Sequence, residues 1–121
     1  MKRIFLLATL LLSSVVQAET WVCTTPTGDG LSYLETFVRT GAEFSKTLTT
    51  PERVDSPSRE IESDPLKVIV ENEVFLTLAK IDPNGSEVAV YMIHKETKQY
   101  INDSVYFYGD TSRSSGSCVS I

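Results

Sequence analysis

From residue 20 onward, short apolar runs alternate with clusters of turn-forming residues, a pattern typical of β structure. The runs are rich in Val, Ile, Thr, Tyr and Phe, the residue types that favour strands. They predict strands at 20–25, 31–40, 42–49, 66–71, 73–81, 87–95, 98–101, 104–108 and 117–121. No apolar spacing of the helical kind persists beyond a single turn. The chain is therefore predicted to be all-β.

Three glycine-containing segments predict tight connections between these strands. Pro26–Gly30 follows the first strand, Gly41 separates two runs as in a hairpin, and Asp82–Ser86 combines a proline with Asn-Gly. The runs 74–81 and 88–93 are apolar on both faces, which predicts central strands covered on both sides. The expected architecture is a small antiparallel meander closed into a barrel, with a two-sheet β-sandwich as the alternative.

The longest stretch without a strand pattern is Thr49–Leu66, which contains three prolines. Between Glu52 and Asp64 it carries five acidic and two basic side chains. The sequence predicts a solvated loop with Ile61 turned inward. The alternative is a mobile lid or a loop that contacts a partner, because long loops in small domains are often functional.

The first 18 residues have the features of an export signal. Two basic residues precede an apolar run, Ile4–Leu12, which is too short to span a membrane. Val16 and Ala18 fit the small residues that precede a cleavage site, so a cut after Ala18 is predicted; the alternative is an uncleaved anchor. Residues 19–121 would then form a single β domain, periplasmic or secreted, that does not insert into the membrane.

Residues 19–121 carry nine basic and sixteen acidic side chains, a formal net charge of −7. This acidic excess disfavours binding to nucleic acid and to anionic lipid, both of which need a basic surface. It favours association with a basic partner.

The two cysteines, Cys23 and Cys118, allow a single intramolecular disulfide. A lipid anchor at Cys23 is disfavoured because Val22 precedes it. A metal site is disfavoured because two distant cysteines and one histidine give none of the usual ligand spacings. A cysteine nucleophile with His94 as its base stays open, without further support in the sequence. Export favours the disulfide Cys23–Cys118, which would join the first and last strands.

No sequence pattern for a cofactor or a nucleophilic triad is found. The sequence contains neither of the two glycine motifs that bind nucleotide phosphates, Gly-x-x-x-x-Gly-Lys-Ser/Thr and Gly-x-Gly-x-x-Gly. It also contains no Gly-x-Ser-x-Gly segment. His94 is expected to end a strand near the rim as an ordinary histidine. Carboxylates are numerous, but their spacing does not place two of them across a cleft. No catalytic residue, metal site or cofactor is therefore predicted.

The aromatic segment at 104–110 is the stretch most suggestive of binding. Strand alternation places Phe107 in the core and Tyr106 and Tyr108 on the opposite face. The two tyrosines either cover the outer face or, with Arg113, form a surface that contacts a partner, because Tyr and Arg are enriched at binding hot spots.

Three short motifs carry a family resemblance: Trp-x-Cys at 21–23, Phe-x-Arg-x-Gly-x-x-Phe at 37–44 and Gly-x-Cys at 116–118. In these the chain resembles small exported Gram-negative proteins, many of which are uncharacterised. It is also similar in outline to the periplasmic c-type lysozyme inhibitors, which are small β-barrels with cysteines near their termini. Those inhibitors carry a Ser-Gly-x-x-Tyr loop in mid-chain. Here the one Ser-Gly pair, Ser115–Gly116, adjoins the last cysteine, so no inhibitory residue is carried over.

The sequence as a whole favours a non-enzymatic binding protein for a protein or envelope component, with inhibition of a basic hydrolase as a specific form to test. Two alternatives are left: an envelope structural or assembly factor that binds by strand pairing, and a small hydrolase that uses carboxylates. The first requires an exposed strand edge, and the second requires convergent carboxylates in a pocket.

Overall fold

A computed structural model describes residues 18–121, which form a closed antiparallel barrel with eight strand positions in its wall. The predicted export signal, apart from Ala18, lies outside these residues. The strands are β1 (Thr20–Pro26), β2 (Ser32–Thr40), β3 (Glu43–Thr49), β4 (Glu60–Glu62), β5 (Leu66–Glu71), β6 (Phe75–Ile81), β7 (Glu87–His94), β8 (Gln99–Tyr106) and β9 (Thr111–Ser120). Between residues 18 and 121 there is no helix, and hence no helical segment that could cross a membrane.

Neighbouring strands of the wall pair antiparallel, and β9 returns to pair with β1. Two strands, β4 and β5, share one position in the wall. β4 lies beside Thr47–Thr49 of β3, and β5 lies beside Glu43 and Phe44 of the same strand. The predicted closed barrel is confirmed, and the β-sandwich alternative is wrong.

The barrel closes where β1 meets β9, along what we call the seam. Cys23 and Cys118 lie directly opposite each other there, with their Cα atoms 4.0 Å apart, and form the predicted disulfide. The link spans 95 positions of sequence, and closing a loop of this length stabilises by about 4–5 kcal/mol in the chain-entropy model. Where β1 begins and β9 ends, the Ile121 N–H donates to the Thr20 carbonyl at 3.0 Å. An intramolecular disulfide is compatible with an exported protein.

The apolar core fills the half of the barrel interior that is nearer to the start of β1. Its members are the inward-facing residues of the alternating strands, namely Trp21, Cys23, Phe37, Phe44, Leu66, Leu76, Leu78, Ala89, Tyr91, Ile93, Tyr100 and Cys118. The Phe37 ring meets those of Tyr91 and Tyr100 edge to face, with centroids 5.5 and 5.9 Å apart. Such pairs add to the stabilisation that apolar burial provides.

Residues of the sequence motifs lie at this end, which we call the closed end. The Arg39 guanidinium lies 4.7 Å from the centre of the Phe44 ring and forms ion pairs with Glu19, at 2.9 Å, and with Glu71. The Trp21 indole N–H donates to Glu19 at 2.8 Å. These contacts close the end of the barrel and give a structural explanation for the motifs at 21–23 and 37–44.

The last two strands differ from the sequence prediction. β8 is one unbroken strand, whereas the pattern predicts two, at 98–101 and 104–108. β9 begins earlier than predicted, at Thr111. The cause is that Asn102 and Ser104 belong to the inward-facing set of β8 with Tyr100, and polar residues at inward positions hide the apolar alternation.

The prediction that Phe107 fills the core is wrong. The Tyr106 N–H donates to the Asp110 carbonyl, which closes a turn, and Phe107 lies in this turn with 89% of its surface exposed. The outer faces of β6 and β7 are also not covered as predicted. Because the barrel wall is a single layer, Phe75 and Val88 remain 43% and 41% exposed.

Gly116 is the residue over which the backbone of β1 crosses at the seam. A Cβ atom at this position would overlap the Thr24 carbonyl oxygen and lie 2.9 Å from the Thr24 carbonyl carbon. We expect Gly116→Ala to destabilise the oxidised protein by about 1–3 kcal/mol or more, because the backbone of β1 must move away from the added Cβ. Urea unfolding measures this, with the exposed neighbour Ser115→Ala as the control. Equal unfolding midpoints for the two variants would contradict the expectation.

Candidate functional site at the open end

Opposite the closed end, the barrel opens into a cavity of about 320 Å³. Five strands or their ends contribute to its lining, which consists of Thr25, Pro26, Tyr33, Glu35, Lys46, Leu48, Asn102 and Ser114. We call this region the open end. It receives residues from both sides of the seam, so the cavity exists only when the barrel is closed.

Three buried residues and the largely buried Lys46 form a hydrogen-bonded network under this cavity, which we call the floor network. Glu35 is its centre: one carboxylate oxygen accepts from the Tyr100 hydroxyl at 2.7 Å and the other accepts from the Lys46 ammonium at 3.0 Å. Lys46 also donates to the Tyr91 hydroxyl at 3.0 Å. Both oxygens of the carboxylate are thus engaged, and the buried charges of Glu35 and Lys46 neutralise each other.

The electrostatic environment of the floor network keeps Lys46 and Tyr100 each in one protonation state at neutral pH. Burial alone would lower the pKa of Lys46, but the Glu35 carboxylate and the Tyr91 hydroxyl outweigh it, so this pKa lies above its ordinary value. Burial and the adjacent Glu35 carboxylate raise the pKa of Tyr100. Lys46 is therefore charged and Tyr100 is neutral across the physiological range.

Strand alternation explains how these side chains come to face inward. Glu35 shares a strand face with the buried Phe37 on β2, and Lys46 shares one with the buried Phe44 on β3. In the register of the two strands, Phe37 lies opposite Lys46. The sequence prediction missed all four floor residues. A usable signal was present, because Glu35 and Lys46 are opposite charges at the inward positions of adjacent predicted strands.

One buried hydroxyl at the cavity has no partner. Thr25 is 8% exposed, lines the cavity, and its Oγ1 makes no hydrogen bond within residues 18–121. Asn102 and Ser114 add an amide and a second hydroxyl to the lining. A buried polar group without a partner costs free energy, which a bound hydrogen-bonding ligand would recover.

The predicted partner-binding residues lie at or near the open end, but the structure does not bring all three together. The Tyr106 and Tyr108 rings stack, with centroids 5.4 Å apart, and Tyr108 is 71% exposed. A hydrogen bond to Glu87 raises the pKa of Tyr106. Arg113 instead forms two hydrogen bonds with Asp103, at 2.7 and 2.9 Å, so its guanidinium is already paired.

His94 lies away from the cavity, at the end of β7 next to Phe75, where the two rings meet edge to face with centroids 4.9 Å apart. Its Nδ1 accepts from the Thr97 N–H at 3.1 Å. In the described part of the chain, no three His, Cys, Asp or Glu residues are grouped so that they could hold a metal ion.

The floor network predicts that the barrel loses stability above about pH 10. The folded state holds the pKa values of Lys46 and Tyr100 above their ordinary values. The resulting stabilisation is complete below the unfolded-state pKa values and is lost as pH rises through the folded-state ones. Tyr100→Phe should therefore weaken the fall in thermal unfolding midpoint at alkaline pH, whereas the exposed Tyr108→Phe should leave it unchanged. An identical alkaline fall in Tyr100→Phe and wild type would contradict this.

Comparisons of this chain with protein-family models, with curated proteins and with solved structures found no match.

Proposed function

We propose that the protein is an exported, non-enzymatic binding protein whose ligand occupies the cavity at the open end. The observation that carries this proposal is the cavity itself, which lies above a fully hydrogen-bonded floor. Its volume of about 320 Å³ falls within the range of about 300–1,000 Å³ that is common for small-molecule sites. The fixed floor residues give a rigid base for recognition, as preorganised binding sites require.

The lining favours an uncharged ligand that bears hydroxyl or amide groups. Glu35 and Lys46 neutralise each other, so the floor attracts neither a cation nor an anion strongly. Thr25, Asn102 and Ser114 offer hydrogen-bonding groups around it. A ligand with hydroxyl or amide groups is either a free small molecule or part of an envelope component.

The same geometry favours binding over carboxylate-dependent hydrolysis. Hydrolysis by a carboxylate pair needs two acidic groups that face the substrate. Glu35 is the one acidic residue among those that line the cavity, and both of its oxygens already accept hydrogen bonds. Such a carboxylate is poorly placed to act as a general base or a nucleophile.

Replacing a small lining residue tests whether the cavity binds a ligand. We expect the small-molecule fraction of a native periplasmic extract to shift backbone NMR signals of the lining residues in oxidised wild-type protein. Ser114→Trp, which fills the cavity, should abolish these shifts. Ser115→Trp is the matched control, because the neighbouring side chain is exposed on the outer face. The proposal fails if wild-type signals do not move or if Ser114→Trp responds like the control.

Inhibition of a basic hydrolase is a second candidate function, which the surface around the cavity favours. Phe107, Tyr108 and Val54 are exposed in loops at the open end, and Val54 belongs to the acidic segment 52–64. Exposed aromatic residues and an acidic segment at the same end of the barrel suit a partner whose rim is basic, since charge complementarity speeds association.

The inhibition hypothesis is tested with a panel of lysozymes. We expect stoichiometric oxidised protein to reduce the lytic activity of at least one basic lysozyme. The double variant Phe107→Ala/Tyr108→Ala should inhibit less, whereas Phe75→Ala, which removes an exposed aromatic residue near the closed end, should inhibit normally. Full lytic activity at stoichiometric excess would reject this function.

A further inference from the structure

Within the described residues, β4 is the strand that pairs on one side only. β4 pairs with β3, and β5 takes over the same position in the wall farther along. On the other side of this position, β6 pairs with β5 from Lys67 onward and does not reach β4. All three residues of β4 are exposed. The wall therefore has one free backbone edge beside β4.

The hydrogen bonds to β3 show which backbone groups face this edge. The Thr50 N–H donates to the Arg59 carbonyl at 2.9 Å, and the Ser63 N–H donates to the Lys46 carbonyl at 3.0 Å. In an antiparallel pair, alternate residues direct their backbone groups toward the partner strand. Residues 59, 61 and 63 thus face β3, while Glu60 and Glu62 direct their N–H and carbonyl groups toward the free edge.

Pro65 explains why β6 does not cover this edge. Continuing the register in which Lys67 lies opposite Ala79 would place Pro65 opposite Ile81. Proline has no N–H to donate to a neighbouring strand, so the ladder stops there. A cavity of about 320 Å³ lies at this point, between the Pro65–Lys67 segment and the end of β6, and Asp82 contributes to its lining.

The charges beside the edge indicate what can occupy it. Glu60 and Glu62 lie on the outer face of β4, because their partners Thr49 and Thr47 lie on the outer face of β3. Asp64 follows them in the sequence. A second copy of β4 would bring these carboxylates close to their own equivalents, and like charges on paired strands are destabilising. Basic side chains at the same positions would instead be attracted.

Ile61 presents an apolar side chain on the inner side of the same edge. Ile61 lies opposite Leu48, a residue that lines the open-end cavity, and Ile61 is 46% exposed. An added strand with alternating residues would therefore place one set of side chains against Ile61 and the other against Glu60 and Glu62. We propose that β4 accepts, as an added strand, an extended segment of a partner protein in which basic and apolar residues alternate. This site is separate from the open-end cavity, and the inference does not depend on ligand binding there.

The probe for this site is a synthetic peptide of alternating lysine and valine, with an alternating glutamate and valine peptide as its control. We expect the lysine peptide to slow hydrogen exchange of the Glu60 and Glu62 amides in the oxidised mature protein, because these N–H groups become hydrogen-bonded. The glutamate peptide should leave exchange unchanged. Unchanged exchange with the lysine peptide overturns the proposal, as does equal protection by both peptides.

A proline substitution separates strand pairing from simple charge attraction. Glu62→Pro and Glu62→Ala both remove the carboxylate, but only proline also removes the N–H at the free edge. Neither substitution removes a hydrogen bond to β3. We expect Glu62→Pro to bind the lysine peptide about tenfold more weakly than Glu62→Ala, the loss expected from one backbone hydrogen bond. Equal affinities would show that the contact is electrostatic only and would overturn strand addition.

Sedimentation of the peptide-free protein tests whether a second copy of the chain occupies the free edge of β4. We expect a monomer in which the Glu60 and Glu62 amides exchange rapidly. A dimer in which these amides are protected would mean that a second copy occupies the edge, and it would overturn the assignment to a basic partner.

Discussion

The seam between β1 and β9 is the constraint on which the rest of the molecule depends. An antiparallel sheet of this length would otherwise leave two long edges and a core open on one side. The seam is held by the disulfide between Cys23 and Cys118 and by the close crossing of β1 over Gly116. Because Thr25 and Ser114 approach the cavity from opposite sides of the seam, closure also assembles the candidate site.

The barrel interior is divided into an apolar half and a polar half, and this division assigns different roles to the two ends. The closed end is stabilised mainly by apolar burial and by the contacts of Arg39. At the open end, Glu35 and Lys46 form a buried ion pair whose desolvation offsets much of its attraction. Such a pair adds little net stability, yet loss of one partner leaves an uncompensated charge, typically at a cost of about 3–5 kcal/mol. The arrangement therefore fits the binding role that we propose for the open end.

The apolar alternation and turn residues were sufficient to predict the barrel, and two cysteines were sufficient to predict the disulfide. Prediction failed where an inward position is polar, as at Asn102 in β8, because periodicity identifies a strand by its apolar residues. The floor residues were missed for the same reason. In the sequence Glu35 resembles a surface residue, and only the folded barrel shows that its carboxylate contacts Lys46. The free edge of β4 could not be predicted either, because it depends on which strands fail to pair, and this is a property of the closed barrel rather than of local sequence.

The hydrogen bond from Ile121 to Thr20 has a consequence for how the molecule can be displayed. It holds the start of β1 and the end of β9 together at the closed end, so anything joined there lies about a strand length from the cavity. A tether, a label or a fused domain at either position would leave the open end pointing outward. The closed end of the barrel can therefore serve as a base for attachment, while the open end stays accessible to solvent.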